Sequence, residues 1–549
     1  MNQSFEKLQN QLEKAMALQT AMVLFEWDNE TAAPKEAAER TAAVIGSLSS
    51  QYLDIMTGEK LKTALEECSG QMSEMTEVEQ AIVRETKEEV EKLERIPADE
   101  YRSFAELTAR ATGIWADARE KNDFSLFAPV LKEIVDYQKR FASYQAKEGQ
   151  KLYDVMLDNY EKDFGMKELD EFFRVVKEGI VPLLKESAKR SEQLDDSFLS
   201  AGYTEEQQEK AARFLAEYVG FDFDRGILAV SAHPFTTNLH NKDVRITTHY
   251  LDRIDSSIYS VIHESGHAVY ELGIRDDLTQ TPAGQGASMG MHESQSRFFE
   301  NIMGRNRNFW VPIYGNMQEI FGSPLKEVSL DDFLAAVNKT IPGLIRTEAD
   351  ELSYCLHVLV RYEIEKLMIE ENAEIDSLPE LWNDKYEEYL GIRPKDDGEG
   401  ILQDIHWSQG SFGYFPSYAL GNAFGAQLYH RMKQEMDFDG LLREGRADVI
   451  REYLREHIHQ YGKLKTSRQL LKDATGEDFN PAYYVESRRA GEIKKTGISM
   501  SGMPVFSEML HFRQVEIDFR PHEENTDAEV QPQHQHGYAG KTSVHGGES

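Results

Sequence analysis

The sequence has few cysteines, no long apolar run and a shortage of basic side chains. Only Cys68 and Cys355 are present among 549 residues, too far apart in the chain to form a CxxC pair or a disulfide framework. No window approaches the ~18 apolar residues of a membrane-spanning helix. Lysine and arginine number 61 against 96 acidic residues, so the net charge of −35 repels phosphate backbones and anionic lipids. These shortages argue against a disulfide-rich secreted domain, a membrane protein and a nucleic-acid-binding protein.

No secretory signal is recognisable at the start of the sequence. Residues 1–13 alternate acids, lysines and amides, whereas a signal peptide needs an apolar stretch behind a basic one. We therefore expect a cytoplasmic protein that binds neither membranes nor nucleic acids. The 549 residues, of which 40% are hydrophobic, are sufficient for a large buried core.

Apolar residues at helical spacing dominate the first two hundred positions, where proline is scarce. Leu8, Leu12 and Ala15, for example, recur at intervals of three and four residues. This pattern predicts a helical N-terminal part over about 1–200. The predicted helices lie near 4–25, 37–68, 75–95, 98–120, 126–163 and 167–195.

A short β-rich stretch follows, and helical spacing then returns. Short runs rich in β-branched residues at 226–231 and 244–248 predict a small hairpin or sheet edge. Predicted loops at 281–290 and 393–417 interrupt the helical pattern that follows the β-rich stretch. We therefore expect an all-α fold with one small β element, whose second part covers about 226–485.

The composition changes again after Val485. The helical period stops there, and residues 522–549 are rich in Gly, His, Gln and Ser with almost no aliphatic side chains. We therefore predict one large domain over 1–485 and an atypical, disordered tail over 486–549.

The strongest chemical signal is His263-Glu264-Ser265-Gly266-His267, an HExxH motif. Residues four apart on a helix project from the same face, so both imidazoles can bind one zinc ion with Glu264 beside it. A catalytic zinc needs a third protein ligand and one open position. A longer zinc motif has its third histidine shortly after the second, but the residues three and six positions after His267 are not histidines.

A carboxylate on a following helix is therefore the expected third ligand. Met291-His292-Glu293 begins a second helical stretch after a Gly-rich loop, and a helix–loop–helix hairpin would return Glu293 to the two histidines. The alternative is a surface ion pair between Glu293 and Arg297, one helical turn apart. Because the HExxH motif precedes it, we favour the ligand role.

A segment near position 400 combines aromatic, glycine and polar residues, a composition that suits a loop lining a site. His406, Tyr414 and Tyr418 lie there and could donate hydrogen bonds to a developing oxyanion. The alternative for Tyr414 and Tyr418 is a role as core or rim aromatics.

Six motifs follow one another along the chain: His233-Pro234-Phe235 and residues 243–247, 263–267, 292–295, 345–350 and 400–407. In this order they resemble the motifs of the M32 metallocarboxypeptidases, which include the thermostable carboxypeptidases of bacteria and archaea. The resemblance extends over about 1–485. It implies an all-α fold whose two helical halves flank a deep peptide cleft, as in neurolysin and angiotensin-converting enzyme, and usually a homodimer. It also implies release of single C-terminal residues from peptides with broad specificity.

These residues together predict metal-assisted peptide hydrolysis. The two histidines of the motif and Glu293 would hold Zn²⁺, for which Co²⁺ or another divalent ion could substitute. Glu264 would take the proton of the attacking water and pass it to the leaving amine. His406, Tyr418 and Tyr414 would stabilise the oxyanion.

An exopeptidase also needs a cation for the terminal carboxylate of its substrate, and the fork of an arginine suits that group. Arg346 and Arg245 are the candidates, although either could instead pair with a neighbouring acid, Asp350 or Asp243. His233, in the first shared motif, is a further candidate for substrate binding.

Two other functions stay open at this point. A zinc oligopeptidase that cuts internally would carry the same HExxH motif and glutamate. A metal-free helical interaction protein would carry the motif by chance. A carboxypeptidase needs a substrate with a free C-terminus, whereas an oligopeptidase does not. A metal-free interaction protein would differ from both in containing no stoichiometric zinc.

Overall fold

The computed structural model describes residues 3–191 and 193–496, and most of them are helical. Within these residues no helix has the length and apolar character needed to cross a membrane. The first helices are α1 (Gln3–Thr31), α2 (Ala38–Met56), α3 (Glu59–Ser69), α4 (Glu77–Arg95), α5 (Ala98–Lys121), α6 (Ala128–Gln145), α7 (Leu152–Asp158), α8 (Met166–Ser191) and α9 (Glu205–Val219). Three strands follow: β1 (Gly226–Val230), β2 (Thr236–His240) and β3 (Asp243–Thr248).

Helices also make up the regular structure that follows the sheet. This arrangement confirms the predicted all-α fold with one small β element. The later helices are α10 (Ile254–Leu272), α11 (Met289–Arg297), α12 (Arg307–Trp310), α13 (Tyr314–Phe321), α14 (Leu330–Val337), α15 (Tyr354–Glu370), α16 (Leu378–Leu390), α17 (Phe415–Glu435), α18 (Phe438–Arg443), α19 (Ala447–His457), α20 (Ser467–Thr475) and α21 (Ala482–Thr496).

The N-terminal helices follow the predicted periodicity, but two predicted segments are divided. Leu8 and Leu12 of α1 are buried, as their spacing indicates. The segment predicted over 37–68 forms α2 and α3, which are separated at Gly58, a residue with extended backbone. The segment predicted over 126–163 forms α6 and α7. Local breaks of this kind leave the amphipathic pattern on either side intact.

The sheet has the strand order β1-β3-β2, with β1 parallel and β2 antiparallel to β3. The predicted small sheet is confirmed, but its two predicted strands, β1 and β3, are parallel and form no hairpin with each other. β2 is the strand that the prediction missed. Its sequence is Thr236-Thr237-Asn238-Leu239-His240, in which only Leu239 is buried, so no apolar alternation marks it. β2 lies against α10, since the Thr236 hydroxyl donates to the Glu264 carbonyl at 3.1 Å.

Two glycines allow α10, α11 and α17 to approach closely. A Cβ at Gly266 of α10 would lie 2.8 Å from Ser296 Cα of α11. A Cβ at Gly421 of α17 would lie 2.7 Å from Glu293 Cβ, also on α11. A larger residue at either glycine would push α11 away from its neighbour, because the protein interior between these helices is close-packed.

The last described helix corrects the prediction for the C-terminal segment. Because α21 continues to Thr496, the expectation that helical structure stops after Val485 is wrong. Arg488 and Glu492 are buried in this continuation, and Arg488 pairs with Glu351. Charged residues at buried positions interrupt the apolar pattern from which a helix is recognised. The remainder of the predicted tail lies outside the described residues.

Alanine substitution at Gly266 tests the packing of α10 on α11. We expect Gly266→Ala to lower the free energy of unfolding by about 1–3 kcal/mol, because the new Cβ meets backbone atoms of α11. Gly46→Ala in α2 is the control, since nothing lies within 4 Å of its added Cβ. That variant should gain about 0.4–1 kcal/mol. Urea denaturation measures both, and equal stability of the two variants would contradict the packing.

Candidate active site

Two histidines and one carboxylate converge where α10 meets α11. His263 and His267 lie one turn apart on α10, and Glu293 lies on α11. Glu293 Oε2 is 3.7 Å from His263 Nε2 and 3.5 Å from His267 Nε2. One possible ligand atom from each residue lies within 4.8 Å of the others. Two imidazoles and a carboxylate are a donor set typical of a catalytic divalent metal site with an open position.

The Glu293 carboxylate divides its two oxygens between different partners. Oε2 faces the two imidazoles, whereas Oε1 accepts from Arg297 Nε at 2.7 Å. Burial alone would raise the pKa of Glu293, but nearby Arg297 and His263 hold this pKa well below its usual range. The carboxylate is therefore ionised. The two roles considered for Glu293, ligand position and pairing with Arg297, are thus compatible.

A second glutamate orients the first histidine. His263 Nδ1 lies 2.8 Å from Glu300 Oε2, and the same oxygen accepts from Arg297 Nη1 at 3.0 Å. A carboxylate on Nδ1 fixes the tautomer that leaves Nε2 free to bind a metal. Arg297 thereby connects the partner of the imidazole, Glu300, with the carboxylate of Glu293.

His267 is held from its other side by a further pair of side chains. Its Nδ1 lies 2.5 Å from His292 Nδ1, and His292 Nε2 lies 2.7 Å from Glu271 Oε1. Burial, with a smaller contribution from nearby His292, lowers the pKa of His267 to about 3. The imidazole is therefore neutral near pH 7, as metal ligation requires.

Glu264 occupies a buried position beside the two histidines. Its Oε2 accepts from the Thr236 hydroxyl of β2 at 2.6 Å. Burial raises the pKa of Glu264 above its usual range. A carboxylate acts as a general base by accepting a proton, and the acid so formed can release that proton again.

The three predicted donors of the loop near position 400 come together. His406 Nε2 lies 3.3 Å from the Tyr418 hydroxyl, and the ring centres of Tyr414 and Tyr418 are 5.1 Å apart. Burial lowers the pKa of His406 to about 4, so its imidazole is uncharged at pH 7. Neutral His and Tyr side chains can donate hydrogen bonds without adding charge to the site.

Arg346 lies within this second cluster. Its Nε and Nη2 donate to Asp404 Oδ1 at 3.1 and 2.8 Å, and Nη1 donates to the Tyr354 hydroxyl at 3.3 Å. The guanidinium also lies 4.9 Å from the centre of the Tyr418 ring. The neighbouring acid is thus Asp404, whereas the sequence suggested Asp350.

Tyr354 connects the two clusters. Its hydroxyl accepts from Arg346, and its ring lies under the guanidinium of Arg297 at 4.2 Å from ring centre to Cζ. Arg297 in turn binds Glu293. The predicted donors and the histidine–glutamate cluster therefore belong to one continuous set of contacts.

Arg245 and His233 lie on the β-sheet. Arg245 of β3 forms a fork on Asp243 at 2.9 and 2.8 Å and lies 4.8 Å from the centre of the Trp27 ring of α1. His233 is exposed between β1 and β2, and its carbonyl accepts from the Ser231 hydroxyl at 2.7 Å. The contacts of these two side chains do not include the clusters around His263 and His406.

Comparison with known families agrees with this arrangement. The family model described as "Carboxypeptidase Taq (M32) metallopeptidase" matches residues 7–490. The chain belongs to the M32 metallopeptidase family.

Curated relatives of this M32 chain cover nearly its whole length. It is 42% identical over 468 residues to Carboxypeptidase 1 of Bacillus subtilis, which covers 85% of this chain and 93% of that protein. It is 36% identical over 489 residues to Thermostable carboxypeptidase 1 of Pyrococcus furiosus, with coverage of 88% and 97%.

Solved structures of M32 carboxypeptidases share the fold. The M32 carboxypeptidase from Deinococcus radiodurans R1 has a TM-score of 0.88 at 30% identity, and the match covers 90% of this chain and all of that one. The Pyrococcus furiosus carboxypeptidase has a TM-score of 0.86 at 35% identity, covering 90% and 99%. The helical architecture described above is therefore that of the M32 family.

The sequence reasoning missed the residues that support the site in this M32 chain. Thr236 was overlooked because β2 was not predicted. Glu300 carried a usable signal, since Glu293, Arg297 and Glu300 follow at helical spacing and so share one face. Asp404 lies in a shared motif, but its partner Arg346 is distant in sequence and no local pattern connects them.

Removing the carboxylate of Glu300 tests the orientation of His263. We expect Glu300→Gln to weaken divalent metal binding about 10–100-fold, because the hydrogen bond to Nδ1 loses its charge. Competition with a chelator measures this affinity. Glu206→Gln is the control, since Glu206 pairs with Lys210 on the exposed surface of α9, away from the site. Unchanged affinity in Glu300→Gln would contradict the orienting role.

Proposed function

We propose that this M32 family member is a zinc-dependent metallocarboxypeptidase that removes single C-terminal residues from peptides with broad specificity. The observation that carries the proposal is the convergence of His263, His267 and Glu293, with Glu264 buried beside them. Membership of the family and the carboxypeptidase names of its relatives support the reaction class.

The donor set suits the metal named in the proposal. His263 Nε2, His267 Nε2 and one oxygen of Glu293 would hold Zn²⁺, and Co²⁺ or another divalent ion could take its place. When bound, the ion supplies a Lewis acid that polarises the peptide carbonyl and acidifies water. Glu300 and His292 would keep the imidazole rings in the orientation that ligation needs.

Glu264 would serve as the general base. It takes one proton from the water that attacks the scissile carbonyl, and it gives that proton to the amine as the C–N bond breaks. The hydroxyl of Thr236 holds Oε2 and leaves Oε1 for the proton transfer. Burial raises the pKa of Glu264, which supports this role because it makes the carboxylate a stronger proton acceptor than an exposed one.

His406, Tyr418 and Tyr414 would stabilise the oxyanion that develops on the carbonyl. Their neutral N–H and O–H groups lie in one partly buried cluster. Donors that are already oriented in a dry site stabilise developing charge more strongly than mobile water does, and each one lost costs about 3 kcal/mol.

Arg346 is the better placed of the two arginines for the substrate's terminal carboxylate. It lies against Tyr418, and Tyr354 connects it with Arg297 beside the metal ligands. Asp404 and Tyr354 occupy part of its donor set and fix its orientation. Arg245 and His233 are proposed as further substrate contacts on the side of the sheet.

Glu264→Gln tests the general base. We expect kcat to fall about 10²–10⁴-fold while zinc remains stoichiometric, because the amide keeps the shape but cannot take a proton. Glu206→Gln, on the exposed surface, should retain full activity. Peptidase assays and metal analysis measure both quantities. Full activity of Glu264→Gln, or purified wild-type protein without stoichiometric zinc, would contradict the proposal.

A paired digestion tests exopeptidase action. A defined peptide with a free C-terminus should yield a ladder of products that shorten by one residue at a time in timed mass spectra. The same peptide with an amidated C-terminus should react at least about 30-fold more slowly, since removing one partner of a hydrogen-bonded charge pair costs about 2 kcal/mol or more. Equal rates, or internal cleavage, would contradict carboxylate capture and favour the oligopeptidase alternative.

Conservative variants assign the carboxylate contact in the same assay. Arg346→Lys should narrow the difference between the free acid and the amide, because lysine keeps the charge but loses the fork. Arg245→Lys is the matched comparison. A narrowed difference in Arg245→Lys alone would move the contact to the sheet.

A further inference from the structure

Glu365 of α15 is a fully buried carboxylate outside the proposed catalytic set, with 0% of its surface exposed. It accepts three hydrogen bonds from uncharged groups. Trp407 Nε1 donates to Oε1 at 2.8 Å, while the Tyr153 hydroxyl and the Gly413 amide donate to Oε2 at 2.7 and 2.8 Å. All three donors point at one carboxylate, so its acceptor capacity is used from three directions.

Two of these donors bracket the loop that carries the proposed oxyanion donors. Trp407 directly follows His406, and Gly413 directly precedes Tyr414. Glu365 therefore holds both ends of the short segment between the two donors. Its third partner, Tyr153, belongs to α7 and fixes the carboxylate from the opposite side.

The segment is closely packed as well as hydrogen-bonded. Gly413 has φ of +84°, and a Cβ there would lie 2.8 Å from backbone atoms of Met156 in α7. One turn before Glu365 on α15, Arg361 Nε donates to Asp404 Oδ2 at 2.6 Å. The same helix thus binds the loop before His406 and at both ends of the segment that follows it.

We propose that Glu365 is a positioning residue for peptide hydrolysis, which fixes the 406–414 loop so that His406 and Tyr414 face the reacting carbonyl. The inference rests on the proposed donor role of His406. Burial raises the pKa of Glu365 to about 7. The ionised carboxylate, which dominates at higher pH, therefore destabilises the folded state. Buried ionisable groups with such perturbed pKa values are concentrated at functional sites.

Glu365→Gln is the direct test, because it keeps the volume but places an NH₂ group against at least one N–H or O–H donor. We expect kcat to fall at least about 10-fold with KM nearly unchanged, since donors that act only on the transition state affect kcat. Metal content should equal that of the wild type. Glu363→Gln is the matched control on the same helix, where the carboxylate binds Lys385 and Tyr389 away from the loop.

A double-mutant cycle with His406→Ala separates this inference from the proposed function. If Glu365 acts through His406, Glu365→Gln costs much less kcat in the His406→Ala background than in the wild type. An equal cost in both backgrounds overturns the positioning role alone. A His406→Ala variant with wild-type kcat contradicts the donor role itself, and the positioning role falls with it.

Trp407→Phe gives a second route if Glu365→Gln does not fold. It removes one donor to Glu365 and keeps an aromatic ring in place. We expect the same fall in kcat without a change in KM, and a smaller cost in the His406→Ala background. Wild-type kcat in folded Trp407→Phe would overturn the proposal.

Discussion

The buried carboxylate of Glu293 must satisfy two sets of partners at once, and the rest of the site depends on this requirement. One oxygen accepts from Arg297, and the other faces the imidazoles of His263 and His267. A charge buried at this depth is tolerated only while it is paired. α11 must therefore remain pressed against α10, and glycine at 266 makes that approach sterically possible, while glycine at 421 lets α17 approach α11.

The second constraint is the positive charge held inside an acidic protein. The chain carries −35, yet Arg297, Arg346 and Arg361 lie around the site, each bound to a carboxylate. Tyr354 lies between Arg297 and Arg346 and connects the two clusters. These buried ion pairs keep the Glu293 and Asp404 carboxylates ionised, since the arginines hold the pKa of both groups well below the usual range.

Apolar periodicity and local motifs predicted most of the fold and the metal-binding residues. Contacts between residues distant in sequence could not be predicted in this way. The helical fold and the small sheet follow from the spacing of apolar and β-branched residues. The convergence of His263, His267 and Glu293 follows from the spacing of the motif on one helix and the return of the next helix. The pairing of Arg346 with Asp404 joins positions distant in sequence, which no local pattern encodes. α21 was missed in its second half because Arg488 and Glu492 are charged yet buried.

Some expectations rest on the sequence and the family resemblance alone. The homodimer, the cytoplasmic location and the division into two helical halves around a cleft stay predictions of the sequence and its family resemblance. The extent of the tail stays a prediction as well. None of them changes the geometry around Glu293.

Locating the metal in zinc-loaded crystals, by anomalous scattering at the zinc edge, tests the central claim most directly. We expect one strong peak per chain, within bonding distance of His263 Nε2, His267 Nε2 and a Glu293 oxygen. His292 should remain outside the coordination sphere, because it supports His267 through Nδ1. A peak elsewhere, or one that takes His292 as a ligand in place of Glu293, would contradict the account.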